Sequence, residues 1–341
     1  MSWTVRIAVV VASAALLGTA APAGAQGSVT LRYGEWLPPT YFMNQKFFGG
    51  WFEDVKKVTE GRVTIQPTAA PLGPPPRNYQ LAVDGVADVI WIVHGFTPGT
   101  FPLSGMVELP FLTKSAEANS VAYWRVYKKH FEPASMHKGV HTLAIHVHPP
   151  GHLYTTGKPI RSVDDLKGMK IRNANSTVAD ILKTFGVVPI GAPVTEVREI
   201  LSRGIADGVT FTDEALYNFR ISQFIKQSTK FPGGLYTASF AVVMNQKRWN
   251  SLQKADQDAI MKISGEAMAR RMGRVWQDEE DGAAGRLPKD GIHSEQASGA
   301  FLAEVRDRLK EREAMWIAEA RKHGVDGKAA LEMYQRERDS K

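Results

Sequence analysis

Arg172 carries the sharpest chemistry in this sequence. It closes an apolar-leaning run at 169–173 that reads as a short strand. A guanidinium is always charged, and its planar fork meets a carboxylate through two parallel N–H donors, which a lysine cannot do. At the carboxyl end of a strand in an α/β sheet, such a group faces the region where ligands gather. Its partner is either a ligand carboxylate or an acidic side chain of the protein, and the residue alone leaves both open. A second set is formed by His141, His146, His148 and His152. His146 and His148 would share one face of a strand, a spacing compatible with a metal. No H-E-x-x-H helix is present, and no carboxylate lies within the cluster as a third ligand. Partly exposed strand histidines are therefore the expected reading, and a secreted metal-dependent hydrolase is the rival. Nucleophilic catalysis finds little support. Phe101-Pro102-Leu103-Ser104-Gly105 lacks the G-x-S-x-G elbow, and the chain has no cysteine, so thiol nucleophiles, disulfides and a lipid-bearing cysteine are excluded.

The elements that must position these residues alternate. Strands are expected over 29–36, 62–66 and 87–93, with a helix over 44–59 in which Phe47, Phe48, Trp51, Phe52, Val55 and Val58 recur at helical spacing. The apolar run at 87–93 suits a buried parallel strand. After Pro149-Pro150-Gly151 the rhythm returns: strands over 169–173, 187–190 and 208–211 are interleaved with helices over 176–185, 195–201 and 213–219. This pattern predicts an α/β protein of two similar lobes. A strand over 236–244 would return the chain to the first lobe. A long helical stretch over 255–286 could span both lobes, with Ile260, Ile263, Ala267, Arg271 and Val275 on one stripe. A last amphipathic helix is expected over 301–321. Positions at the carboxyl ends of strands are then Glu35 and Trp36, His94 to Phe96, and their counterparts in the second half.

The composition sets the class. The 341 residues allow two domains, and 43% hydrophobic with 23% charged residues is ordinary for a soluble globular protein. The net charge of +7 is spread among acids without a dense basic block, which argues against nucleic-acid binding, while a mildly positive field helps attract anions. The N-terminus reads as a secretory signal: Arg6, an apolar stretch over 7–17, and Ala23-Gly24-Ala25 before Gln26. The expected location is the periplasm.

Several stretches resemble the solute-binding proteins of tripartite ATP-independent periplasmic (TRAP) transporters. In the first lobe they are Glu60-Gly61-Arg62-Val63, Pro71-Leu72-Gly73, Asp84-Gly85-Val86-Ala87-Asp88 and Glu108-Leu109-Pro110-Phe111. In the second they are Leu166-Lys167-Gly168-Met169-Lys170-Ile171-Arg172, Glu196-Val197 and Gly204-Ile205-Ala206-Asp207-Gly208, followed by Met244-Asn245-Gln246-Lys247-Arg248-Trp249. Each motif is weak alone; their order and spacing are specific. The resemblance implies a type II-like two-lobe binding protein, with crossing strands and a long interlobe helix. It implies that Arg172 pairs with a substrate carboxylate. It also implies small and large integral-membrane partner subunits driven by an ion gradient. No cofactor is expected, and the binding protein is expected to be a monomer. The lobes are expected at 26–150 with 236–270 and at 151–235 with 271–325, leaving a tail at 326–341. A binding protein of an ABC transporter or of a sensor shares the same two-lobe physics and remains the alternative.

The departures from that family bear on the ligand. Where some dicarboxylate and acidic-sugar members carry a second arginine, this chain places His152, which supports a second carboxylate less strongly. After Asp207-Gly208, where relatives present Asn or a metal-holding Glu-Trp pair, it reads Val209-Thr210-Phe211-Thr212. Phe211 offers an apolar face, and Trp36, Phe96 and Tyr236 either add rings to it or only pack the lobes. The expected substrate-binding set is Arg172, Phe211, Trp36, His94, His152, Thr212 and Tyr236, and the expected ligand is an aromatic or otherwise apolar monocarboxylate.

Overall fold

A computed structural model describes residues 28–340. The chain begins with β1 (Val29–Gly34), α1 (Gly49–Val58), β2 (Val63–Pro67), α2 (Asn78–Val83) and β3 (Val89–Val93). It continues through α3 (Ala116–Val126) to β4 (Val140–Val147). All five residues of β3, Val-Ile-Trp-Ile-Val, are buried, as an apolar run covered on both faces must be. A π-helical turn at Asn44–Phe48 precedes α1, and Phe47, Phe48, Trp51 and Val55 turn inward from this segment.

Beyond Gly151 the chain forms β5 (His152–Thr155), β6 (Lys170–Asn173), α4 (Ser176–Thr184), β7 (Val188–Gly191), α5 (Val197–Ser202), β8 (Gly208–Phe211), α6 (Asp213–Asn218) and β9 (Gln227–Lys230). It then returns as β10 (Ser239–Asn245), followed by α7 (Gln246–Asn250), α8 (Lys254–Lys262) and α9 (Gly265–Ala284). Last come β11 (His293–Gln296), α10 (Gly299–Leu309), α11 (Arg312–Lys322) and α12 (Gly327–Asp339). The first sheet has the order β2-β1-β3-β10-β4, and the second β11-β9-β5-β8-β6-β7. In the first, β1, β2 and β3 are parallel, and the returning β10 runs antiparallel between β3 and β4. The result is the expected two-lobe α/β architecture.

Two extended segments cross between the lobes, one between β4 and β5 and one between β9 and β10. They meet where Gly151 N–H donates to Tyr236 O (2.7 Å) and Leu235 N–H donates to Gly151 O (2.8 Å). A Cβ on Gly151 would collide with the Tyr236 ring, so only glycine lets the two strands cross with that ring between them. The lobes are closed on one another: Tyr41 and Phe219, from opposite lobes, hold their ring centroids 5.6 Å apart.

Three sequence expectations give way here. The stretch 255–286 is two helices, α8 and α9, because Gly265 takes φ +58 and restarts the helix. That restart shifts the phase. The buried stripe of α9 is Met268, Met272, Trp276 and Glu280, while Ala267 and Arg271 face solvent. The helix expected over 301–321 is α10 and α11, separated at Lys310 and Glu311. The stretch expected as a tail is α12, which packs on α3 and buries Tyr334, whose hydroxyl meets Asn119. The expected signal segment lies outside the described residues.

Candidate functional site

Between the lobes, at the carboxyl ends of both sheets, lies an aromatic-walled cavity. Its walls come from both lobes and from the segments that join them. The first lobe supplies Trp36 and Leu37 beyond β1, Trp91 and Val93 from β3, and Phe96 from the turn after it. The second supplies Arg172 from β6, Phe211 ending β8, and Thr212, Glu214 and Phe219 from and around α6. Tyr236 comes from the crossing segment, Phe240 from β10 and Trp276 from α9.

The rings are fixed by one another and by their polar tips. Trp36 donates its indole N–H to Trp91 O (2.9 Å) and meets Phe96 edge-on at 6.2 Å. Phe211 stacks on Phe219 at 5.8 Å, with 14° between the planes. Tyr236 is buried, and burial pushes its phenol up, so it stays neutral.

Arg172 is completely buried. Its Nε and Nη2 both donate to Ala192 O, at 3.0 and 2.6 Å, and this clamp fixes the guanidinium plane. Phe211 covers it, with its ring centroid 4.9 Å from Cζ. Nη1 has no hydrogen-bond partner. Of the five N–H groups, two are used at Ala192, leaving both on Nη1 and one on Nη2. That remaining edge is a planar pair of donors of the kind that can meet a carboxylate bidentately. Burial lowers the guanidinium to about 10, so it remains charged at neutral pH. An unpaired buried charge with free donors is costly in an otherwise apolar cavity, and an anion placed there relieves the cost.

The cavity also holds a carboxylate that sequence reasoning passed over. Glu214 is buried, and its Oε1 accepts from Trp276 Nε1 (2.8 Å) and Thr212 Oγ1 (2.9 Å), while Oε2 accepts from Asn218 Nδ2 (2.8 Å). Thr212 thus lines the cavity with its hydroxyl turned to Glu214. Behind them, Glu280 of α9 accepts from the backbone N–H groups of Asp213 (3.0 Å) and Glu214 (2.9 Å). The interlobe helix thereby caps α6 and fixes the wall that carries Glu214. Glu214 follows the carboxyl end of β8 by three residues, so the rule that named Phe211 and Thr212 could have reached it. Trp276 was hidden by the misphased stripe of the long helix.

Arg172, Phe211, Trp36, Thr212 and Tyr236 converge on the cavity; His94 and His152 do not line it. His94 is buried one layer back, between Ser239 Oγ (2.6 Å) and His137 Nε2 (2.7 Å). His152 accepts from Phe231 N–H through Nδ1 (3.1 Å) and supports the crossing segment. Both ring nitrogens of His94 are thus committed to protein partners, and His152 is held through its Nδ1.

Of the remaining histidines in the cluster, His146 and His148 are buried, against expectation, while His141 is half-buried as expected. His141 stacks on Trp249 at 3.9 Å, and His146 accepts from Trp91 Nε1 (2.9 Å). His148 borders the cavity, where its Nε2 accepts from Ala238 N–H (3.0 Å). Burial lowers His141 and His148 to about 4 and His146 to about 3, which keeps all three neutral. Among the described residues, no three His, Cys, Asp or Glu side chains converge as a metal-holding group.

The chain is similar to known proteins over most of its length. The model of bacterial extracellular solute-binding protein family 7, DctP, matches residues 34–318. A curated relative, the outer membrane transporter protein TsaT of Comamonas testosteroni, is 30% identical over 323 residues, 94% of this chain and 95% of that one. A TRAP periplasmic solute-binding protein from Bordetella bronchiseptica, solved with bound (R)- and (S)-mandelate, is similar in structure with a TM-score of 0.88. It is 37% identical and matches over 91% of this chain and 98% of its own. A TRAP solute-binding protein from Rhodoferax ferrireducens, solved with copurified benzoate, gives a TM-score of 0.84 at 28% identity, over 91% and 98% of the two chains.

Proposed function

The chain belongs to bacterial extracellular solute-binding protein family 7 and is a TRAP solute-binding protein, and on that premise we propose that it captures a single-ring aromatic monocarboxylate. The observation that carries this reading is the buried Arg172 guanidinium, with its free Nη1, facing a cavity walled by Trp36, Phe211, Tyr236 and Trp276. Arg172 takes the carboxylate, and the rings take the apolar body. Mandelate and benzoate in the two structural relatives belong to the same chemical class. A pocket of few polar groups and mostly apolar walls suits a small acid bound whole rather than a sugar.

TRAP solute-binding proteins are periplasmic and work with membrane subunits of the transporter. For this chain we extend the reading to export with cleavage near Gln26, to a monomer, and to release of the ligand unchanged. The reading of release without turnover is supported by how the two candidate acid-base groups are held: Glu214 accepts from Trp276, Thr212 and Asn218, and His148 Nε2 accepts from Ala238 N–H.

A thermal-shift screen of the purified protein against a library of organic acids tests the proposal. Single-ring aromatic monocarboxylates should raise the melting temperature, since a ligand bound only by the folded state adds RT ln(1 + [L]/Kd), about 2.7 kcal/mol at 100 Kd. Stabilisation by sugars or aliphatic dicarboxylates alone would overturn it. Recovery of chemically altered acid would overturn the binding-only part.

A further inference from the structure

Glu214 has no role in gripping a carboxylate, yet it lines the same cavity as Arg172. A buried acid in an anion-binding cavity opposes the ligand's charge, so its presence asks for a reason. Burial pushes its carboxyl up, while hydrogen bonds from Trp276, Asn218 and Thr212 pull the other way and hold it as an acceptor. Trp276 Nε1 and Asn218 Nδ2 can only donate, and the Thr212 hydroxyl points the same way. A carboxylate offers about four acceptor positions. Oε1 uses two and Oε2 one, which leaves one position on Oε2. The backbone N–H of Glu214 is itself held by Glu280 (2.9 Å), so the side chain is anchored at both ends.

We propose that Glu214 is a second polar anchor, accepting a hydrogen bond from a hydroxyl of the bound acid through the free position on Oε2. The site then selects hydroxyl-bearing aromatic monocarboxylates over their deoxy counterparts and refuses dicarboxylates. The inference rests on Arg172 holding the carboxylate. Selectivity follows from desolvation. A deoxy acid leaves an acceptor position of a buried carboxyl facing hydrocarbon, and a second carboxylate is set beside another acceptor-only group rather than a donor. A hydrogen bond to a charged acceptor corresponds to a preference of about 10- to 100-fold for the hydroxyl.

Calorimetry on the wild type and Glu214→Gln tests this with two ligand pairs and one dicarboxylate. Mandelate against phenylacetate reads an α-hydroxyl, and 3-hydroxybenzoate against benzoate reads a ring hydroxyl. Phenylmalonate reads the refusal of a second carboxylate. In the wild type, one pair should show the hydroxyl preference, and phenylmalonate should not bind. In Glu214→Gln that preference should shrink toward unity while the deoxy acid binds at least as well as before, and phenylmalonate should begin to bind. Retained deoxy-acid binding shows that the variant is folded, and a gain of phenylmalonate binding cannot arise from misfolding. If the wild type binds both members of each pair equally, or Glu214→Gln leaves the preference intact, the second anchor is overturned while the aromatic-acid reading stands. If the wild type binds none of the four aromatic monocarboxylates, the carboxylate reading itself falls, and the second anchor with it.

Discussion

Arg172→Met separates binding from folding in a way that few cavity substitutions can. The thioether chain approximates the length of the arginine stem and removes the charge. In the free protein two effects oppose each other. Ala192 O loses both of its guanidinium donors, and a buried carbonyl left unmatched costs about 1–3 kcal/mol. Against that, a fully buried charge without a counter-ion disappears, and relief of such desolvation is worth several kcal/mol. The melting temperature of the ligand-free protein should therefore stay close to that of the wild type or rise. Binding has no such compensation. The free edge of the guanidinium can make two charge-assisted hydrogen bonds to a carboxylate, each worth about 1.5–3 kcal/mol. Their loss totals about 3–6 kcal/mol, a fall in affinity of at least about a hundredfold. Differential scanning fluorimetry with and without benzoate reads both quantities in one experiment. A variant that melts normally but keeps its ligand-induced shift would refute the anchor. A variant that fails to fold would show that the guanidinium is a structural pillar instead.

Phe211→Ala removes a ring face from the cavity wall and uncovers the guanidinium at 4.9 Å. At roughly 25 cal/mol per Å² it should cost about 1–2 kcal/mol for an aromatic acid and less for acetate, read by calorimetry; equal losses would argue against a ring-binding wall. Gly151→Ala drives a Cβ into the Tyr236 ring at the strand crossing. Overpacking there should cost about 1–3 kcal/mol in urea unfolding and displace the ring from the cavity, so that aromatic acids bind less tightly; unaltered stability and binding would show that the crossing yields easily. Stability should also fall on acidification. Burial holds His137 and His146 near 3 and His141 and His148 near 4, so in the folded state these rings resist protonation. A lowered pKa contributes stability present above the unfolded value of about 6.5 and lost as pH falls toward the folded one, at up to about 1.4 kcal/mol per pH unit for each ring. Glu108, raised by burial to about 7, and Glu280, raised to about 8, act oppositely, as do Glu35 and Glu214, which burial also raises: their contribution is present at low pH and lost as pH rises through the folded value. With His94 and His152 also lowered by burial, six such rings stand against these four carboxyls, so melting temperature should drop between pH 6.5 and 5, and a rise over that interval would contradict the neutral buried rings.

The sequence by itself determined what local chemistry and periodicity can carry. The apolar run of β3, the aromatic face leading into α1 and the alternation of strand and helix were visible as patterns. Arg172, Phe211 and Thr212 could be named because ligands in α/β proteins meet the carboxyl ends of strands, a position that strand prediction alone supplies. Short order-and-spacing motifs pointed to the family because they record turns and strand ends rather than packing. What the tertiary structure decided were the relations between distant residues. His94 and His152 occupied the right places along the chain, yet their rings turn to Ser239, His137 and Phe231, partners far away in sequence. The phase of the interlobe helix depended on one glycine at φ +58, and a restart of that kind leaves no periodic signal, so Trp276 and Glu280 stayed hidden. Glu214 read as an ordinary acid in the first turn of a helix. Only the approach of α9, which donates Trp276 Nε1 to its side chain and places Glu280 against its backbone, turns it into a fixed feature of the cavity. The free Nη1 is likewise tertiary. Whether a guanidinium pairs with the protein or waits for a ligand depends on which carboxylates the fold brings within reach, and here it brings a carbonyl of Ala192 and a ring.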